Sequence, residues 1–215
     1  MARIIIIGGH GHIARHLTTL LVEQGDRVTS VIRNPDHAET VTGLGAEALV
    51  ADVEQLGTEE IAALVAEHDA VVWSAGAGGG NPARTYAVDR DAAIRTVDAA
   101  VSAGVERFIM VSYFGASTEH GIDPENSFFA YAESKAQADE HLRASRLQWT
   151  VLGPSGLTHE APSGAIDVDA AEATQVSRAN VAAVIRGALA EPVTVHRTIR
   201  FNDGDTPISD ALRRV

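Results

Sequence analysis

Tyr131 and Lys135 stand four residues apart in a stretch with helical spacing. Both therefore lie on one face, which continues through Ala138 and Leu142. Ser112 directly follows the apolar run 107–111, which reads as a strand. A phenol, an ammonium and a hydroxyl that converge on a nicotinamide make a device for carbonyl reduction. The phenol exchanges a proton with the alcohol oxygen. The positive charge favours the phenolate and holds a ribose hydroxyl, and the serine hydrogen-bonds the substrate oxygen. Tyr-xxx-Lys alone equally describes a half-buried aromatic beside a surface lysine. Its specificity comes from what precedes it in the chain.

What precedes it is Gly8-Gly9-His10-Gly11-His12-Ile13-Ala14, between an aliphatic strand and an amphipathic helix. Gly8 and Gly11 are three apart, and Ala14 stands three further on. Small residues there permit a tight turn, close backbone approach to a pyrophosphate and close helix–strand packing. The helix start, with His12 and Ile13, offers N–H groups and a positive dipole end to phosphate. The alternative is an ordinary strand–helix turn, and the flanking elements favour the dinucleotide.

The next strand ends in Val31-Ile32-Arg33-Asn34. An NAD-selecting site would place an acid there to accept from the ribose 2′-hydroxyl. Arg33 instead suits a 2′-phosphate by charge and fork geometry. NADP(H) is therefore favoured over NAD(H), with Asp36 pulling the other way. Ala51-Asp52-Val53 follows the third strand and is placed to flank the adenine. Asp52 either accepts from the adenine amino group or serves as a turn residue. Ser74, Ala75 and Gly76 close the fourth strand with side chains small enough for backbone to approach the cofactor.

These residues need a scaffold, and the hydrophobic pattern supplies one. Strands are expected at 3–8, 27–32, 46–50, 70–73, 107–111 and 148–152, with further short ones at 166–168 and 174–176 and a last one at 193–201. Helices are expected at 13–24, 36–42, 58–67 (with Thr58 as N-cap), 82–103, 129–145, 178–190 (capped by Ser177) and 208–214. The segments 113–127 and 153–164 read as loop. Alternating strands and helices mean a parallel sheet covered on both faces, hence a doubly wound α/β fold. The expected organisation is one domain over 1–215, with a core at 1–152. The remainder, 153–215, carries a small substrate-side lobe and the last strand and helix.

Composition narrows the function classes. With 29 Asp+Glu against 17 Lys+Arg, the formal net charge is −12. Such a surface repels nucleic acid and anionic lipid, so the expected partner is a small-molecule substrate, with neither nucleic acid nor membrane. There is no cysteine, which removes disulfides, thiolate metal sites and cysteine nucleophiles. The run Ile4-Ile5-Ile6-Ile7 is too short for a membrane span. A soluble cytoplasmic protein is expected, and the long helices at 82–103 and 129–145 offer a face for homodimer pairing.

Other constellations weigh less. His10 and His12 have no third ligand nearby, so phosphate or solvent is their expected neighbour and no metal site is expected. His120, Asp123 and Glu125 precede the tyrosine helix and read as a solvated loop. Tyr113, Phe114, Phe128 and Phe129 offer an apolar wall to a flat substrate, or else belong to the core.

Taken in order, the motifs resemble an atypical short-chain dehydrogenase/reductase, of the small NAD(P)H-binding group that includes NmrA-like and flavin-reductase-like proteins. The matching stretches are Gly8-xx-Gly11-xx-Ala14, Arg33-Asn34-Pro35, Ala103-Gly104-Val105-Glu106-Arg107-Phe108 into Val111-Ser112, and Tyr131-xxx-Lys135. They continue with Trp149-Thr150-Val151-Leu152-Gly153-Pro154, Val176-Ser177-Arg178-Ala179-Asn180-Val181-Ala182 and Gly204-Asp205-Thr206-Pro207-Ile208. The resemblance spans essentially the whole chain.

It implies a Rossmann-type fold with Lys135 on the nicotinamide ribose. It also implies that Pro154, Ser155, Gly156 and Leu157 lie beside the nicotinamide and present backbone groups to its carboxamide. The departures are Ala14 for a third glycine, Gly153 for the usual Arg before Pro154, Asn180 for an Asp, and Tyr113 for a second Ser. The resulting expectation is an NADP(H)-preferring oxidoreductase acting on a small carbonyl, quinone or flavin-type acceptor. Two alternatives stand beside it: a non-catalytic dinucleotide sensor, and an epimerase- or dehydratase-like enzyme for sugar nucleotides.

Overall fold

The first strand shows how an aliphatic run serves two faces at once. β1 (Arg3–Ile7) sends Ile4 and Ile6 to one side and Ile5 and Ile7 to the other, and all four are buried. Side chains alternate along a strand, so a run with no polar residue needs apolar cover on both sides. The computed structural model describes residues 1–168 and 170–215.

The chain continues through α1 (His12–Glu23), β2 (Arg27–Ile32), a 3₁₀ turn (Pro35–His37), α2 (Ala38–Thr42), β3 (Glu47–Val50), α3 (Thr58–Val65) and β4 (Ala70–Trp73). Then α4 (Pro82–Thr85), a π-helical segment (Tyr86–Ala92) and α5 (Ala93–Ala103) form one continuous helix. Gly104, at φ +73°, ends it. β5 (Arg107–Val111), α6 (Phe129–Ala144), β6 (Gln148–Pro154), β7 (Gly156–Thr158), β8 (Ala165–Asp167) and β9 (Gln175–Ser177) follow. Last come α7 (Arg178–Ala190), a 3₁₀ turn (Pro192–Thr194), β10 (Arg197–Asp203), β11 (Thr206–Pro207) and α8 (Ile208–Leu212).

The main sheet runs β3-β2-β1-β4-β5-β6-β10, parallel throughout, with β8 and β11 added antiparallel at one edge. Ile4 and Ile6 meet Leu17 and Leu21 of α1, Val181 and Ile185 of α7 and Leu212 of α8. On the other face Ile5 and Ile7 meet Ile61 of α3, Val97 and Ala100 of α5 and Leu142 of α6. This is the doubly wound Rossmann-type fold. Strand order reverses between β1 and β4, and a crevice opens at the carboxyl ends of the strands there.

Most boundaries shift by a residue or two from expectation, and four differences have a clear cause. Thr58 is the first helical residue rather than the cap, which is Gly57. β6 runs two residues further, to Pro154. Residues 156–158 are strand, because they pair in parallel with β9, and this pair is the small lobe beside the end of β6. The last strand starts at Arg197, because Pro192 opens a 3₁₀ turn and His196 turns back at φ +60°.

Candidate functional site

The glycine loop is shaped by what lies against it. Gly8 N and Gly9 N both donate to Val31 O, at 3.2 and 2.8 Å, and Gly11 N donates to Gly8 O at 3.0 Å. Gly8 has φ +86°, and a Cβ there would lie 2.7 Å from Ala75 Cα. A Cβ on Gly9 would lie 2.5 Å from that of Ser30. The loop is thus wedged between the ends of β2 and β4. It opens into α1 with no side-chain cap and no acidic residue in the first turn. An uncapped helix start without negative charge is the arrangement that receives a pyrophosphate.

A cavity of about 290 Å³ lies beyond this loop, bordered by Gly8, His10, Gly11, Arg33, Asn34, Asp52, Val53, Ser74, Ala75 and Gly76. Arg33 is exposed, with Nη1 3.9 Å from Glu54 Oε2. Glu54 also accepts from Arg84 Nε at 3.2 Å. Asn34 Oδ1 accepts from Asp36 N, capping the turn. Asp52 Oδ1 accepts from Glu54 N at 3.2 Å, so Asp52 holds a turn while facing the cavity. His12 borders neither this cavity nor the next. Its Nδ1 accepts from Arg15 Nη2 at 3.0 Å, and its ring meets His159 edge-on.

Ser74, Ala75 and Gly76 also border a second cavity, of about 840 Å³, so the two form one groove across the strand ends. Ile13, Ser112, Tyr131, Lys135, Asp89, Phe128 and Leu157 line the second part. Lys135 is buried, and Nζ donates to Val111 O at 2.7 Å. Ser112 Oγ donates to Asp139 Oδ2 at 2.5 Å. Asp89 Oδ2 accepts from Ala77 N at 2.9 Å, fixing the loop after β4. Burial raises the pKa of both Asp89 and Asp139, and the Lys135 charge offsets only part of that rise.

Two expectations about this end are corrected. The Tyr131 phenol is not tuned toward phenolate. Burial first, then Asp89, Tyr113 and Asp139, push it above the ordinary tyrosine value. Ser112 does not offer its proton to the cavity, because Asp139 takes it.

The segment after β6 is partly tied down within the chain, and Leu157 borders the second cavity. Phe114 N donates to Pro154 O, Ser155 N to Phe201 O, Gly156 N to Thr174 O, and Arg178 Nη1 to Leu157 O. Those backbone groups already have partners within the chain. Ser155 Oγ beside them is a buried hydroxyl without a hydrogen-bond partner.

Of the four aromatics, Phe128 borders the cavity, and it packs with Tyr113 and Tyr131 at centroid distances of 5.2 to 5.5 Å. Phe114 is buried under Arg200, and Phe129 meets His120. His120 pairs with Glu133 at 3.1 Å, and Asp123 Oδ1 accepts from Glu125 N. Among the described residues no group of three or more His, Cys, Asp or Glu is placed to hold a metal ion. No helix among them is long and apolar enough to cross a membrane.

Asp89, Asp139 and Glu54 belong to the site without having been singled out in the sequence. Asp139 had a signal, since it stands four residues after Lys135 on the same helix face. Asp89 and Glu54 meet their partners only through the tertiary fold.

A sequence model of the family described as NAD(P)H-binding matches residues 8–192. The uncharacterised sugar epimerase YhfK of Bacillus subtilis is 33% identical over 99% of this chain and 100% of its own. A structure from Bacillus halodurans, named as a candidate NAD-dependent epimerase/dehydratase, superposes with a TM-score of 0.91 at 30% identity, covering 100% of both chains. The oxidoreductase ylbE of Lactococcus lactis superposes with a TM-score of 0.88 at 25% identity, covering 99% of this chain and 96% of that one.

Proposed function

This chain belongs to the NAD(P)H-binding family, and on that premise we propose that it is an NADP(H)-preferring oxidoreductase acting on a small carbonyl, quinone or flavin-type acceptor. One observation carries the reading. Tyr131, Lys135 and Ser112 line a cavity that continues through Ser74, Ala75 and Gly76 into the glycine-loop groove. When bound, a nicotinamide dinucleotide would supply hydride chemistry at this groove. The uncapped start of α1 holds the pyrophosphate, and Arg33 reads the 2′-phosphate. Lys135 holds the nicotinamide ribose, anchored by the Val111 carbonyl. Tyr131 keeps its proton at neutral pH, because burial and two carboxylates raise its pKa. It therefore serves as the acid that protonates the acceptor oxygen. Ser112, whose proton lies toward Asp139, presents lone pairs and orients a hydroxyl-bearing substrate.

The test is to mix the protein with NADPH and a panel of quinones, flavins and carbonyls and follow the nicotinamide absorbance. Oxidation by one acceptor class is expected, with Tyr131→Phe slower by about 10²- to 10⁴-fold on a carbonyl. Full turnover by Tyr131→Phe removes the phenol from the mechanism.

A second reading has its own observation. Asp89, with a raised pKa, faces the same cavity as Tyr131, and YhfK carries a sugar-epimerase name. Two proton-exchanging groups in one cavity suit redox-neutral sugar-nucleotide chemistry on a retained cofactor. Conversion of a sugar nucleotide without net NADPH oxidation would favour that reading.

A further inference from the structure

The imidazoles of His10 and His37 stack, with centroids 3.5 Å apart and planes within 12°. His10 comes from the glycine loop, and His37 closes the 3₁₀ turn after β2. Both border the smaller cavity together with Arg33. Arg15 and His12 act on His10 from α1. Arg33 and Asp36 lie on the β2 loop, Asp52 and Glu54 after β3, and Arg84 on α4. Glu54 is shared between Arg33 and Arg84, so it neutralises only part of this charge.

At this distance a charge on His37 opposes protonation of His10. Burial is the largest cause lowering the pKa of His10, followed by the positive charges of His37, Arg15 and His12. A dianion docked beside the pair reverses the balance, since an opposite charge favours the protonated ring. A pyrophosphate is common to both nicotinamide dinucleotides, whereas a 2′-phosphate is present in only one. His37 and Arg33 lie on the loop that distinguishes the two.

We propose that the His10–His37 stack is a specificity determinant. With Arg33 it seats the 2′-phosphate and takes up a proton as that group docks. Preference for the phosphorylated cofactor therefore sharpens as pH falls. This rests on the NADP(H) preference proposed above.

The experiment is titration calorimetry of the whole protein with NADP⁺ and with NAD⁺, in pairs of buffers that differ in ionisation enthalpy. The range is about pH 8 to about pH 6.5, where a phosphomonoester is still largely dianionic because its second pKa is near 6. Net proton uptake is expected with NADP⁺ and not with NAD⁺. The affinity ratio should rise about threefold across the range, the size of one partly solvated charge contact. His37→Gln should abolish the uptake and flatten the ratio, and a cooperative thermal unfolding transition reports an intact fold. NADP⁺ preference without uptake, or uptake that persists in His37→Gln, overturns the proposal and leaves the cofactor reading standing. Equal affinity for the two cofactors, or binding of neither, overturns the cofactor reading and the proposal with it.

Discussion

The two halves of the groove are made of different material. The half beside β2 and β3 is shaped by backbone: a positive φ at Gly8, glycines with no room for a Cβ, and a bare helix start. Arg33 stands largely in water, and Arg84 and Glu54 stay partly exposed. The half beside β5 and α6 is made of buried charge. Lys135 is 2% exposed, Asp89 2% and Asp139 0%. The first half selects its ligand by shape and screened charge, where any single contact is weak. The second half holds ions in a dry setting, where each depends on the others and removal of one is costly.

The largest expected effect breaks the buried half. Lys135→Met would remove the stronger of the positive charges acting on Asp89 and Asp139, and urea unfolding should report a loss of about 3–5 kcal/mol. The sign of the pH dependence follows from the raised carboxylates. Their folded pKa lies above the unfolded one, so the stability they contribute is full below the unfolded carboxylate value. It is lost as pH rises through the folded value. The deficit of Lys135→Met should therefore shrink on acidification. An unchanged urea midpoint at neutral pH would mean that the three groups are not coupled.

Gly8→Ala strikes the backbone half. It puts a Cβ against Ala75 at a position with φ +86°, at a cost of about 1–3 kcal/mol, with affinity for both dinucleotides lowered together. Equal loss of both is the signature of shape, and loss of one alone would contradict it. Arg33→Ala should be milder, costing about 1 kcal/mol of NADPH affinity in a fluorescence titration and leaving NADH unchanged. The effect should fade at high salt, which Gly8→Ala should not show.

The mildest test is Asp139→Asn, an amide that still accepts from Ser112. Wild type should lose stability relative to this variant as pH rises above the ordinary carboxylate range, measured by thermal unfolding across pH. A pH-independent difference would deny the raised carboxylate.

The backbone half was the more legible in sequence. Gly8, Gly11 and Ala14 are spaced along the chain as they act, and a parallel sheet announces itself by runs such as Ile4-Ile5-Ile6-Ile7. The buried half was legible only in part. Tyr131 and Lys135 share a helix face, but the Asp89 that acts on both comes from a different helix, through its π-helical segment. The retuning of the phenol away from phenolate followed from that unseen acid and from burial.

Residues 156–158 read as loop because glycine and proline surround them. They became strand because β9, nearly twenty residues on, supplied a partner. Val193, Thr194 and Val195 have strand-like side chains, yet Pro192 and the turn at His196 delayed β10. Thr194 instead faces inward, with its hydroxyl donating to Glu191 O. Local propensity yields to tertiary pairing at such places.

The most direct test of the account is a titration of the purified protein with NADPH and with NADH, followed by nicotinamide emission. The account predicts saturable binding at one site per chain, tighter for NADPH. Absence of a saturable change with either nucleotide would contradict it, and would leave the glycine loop a structural turn.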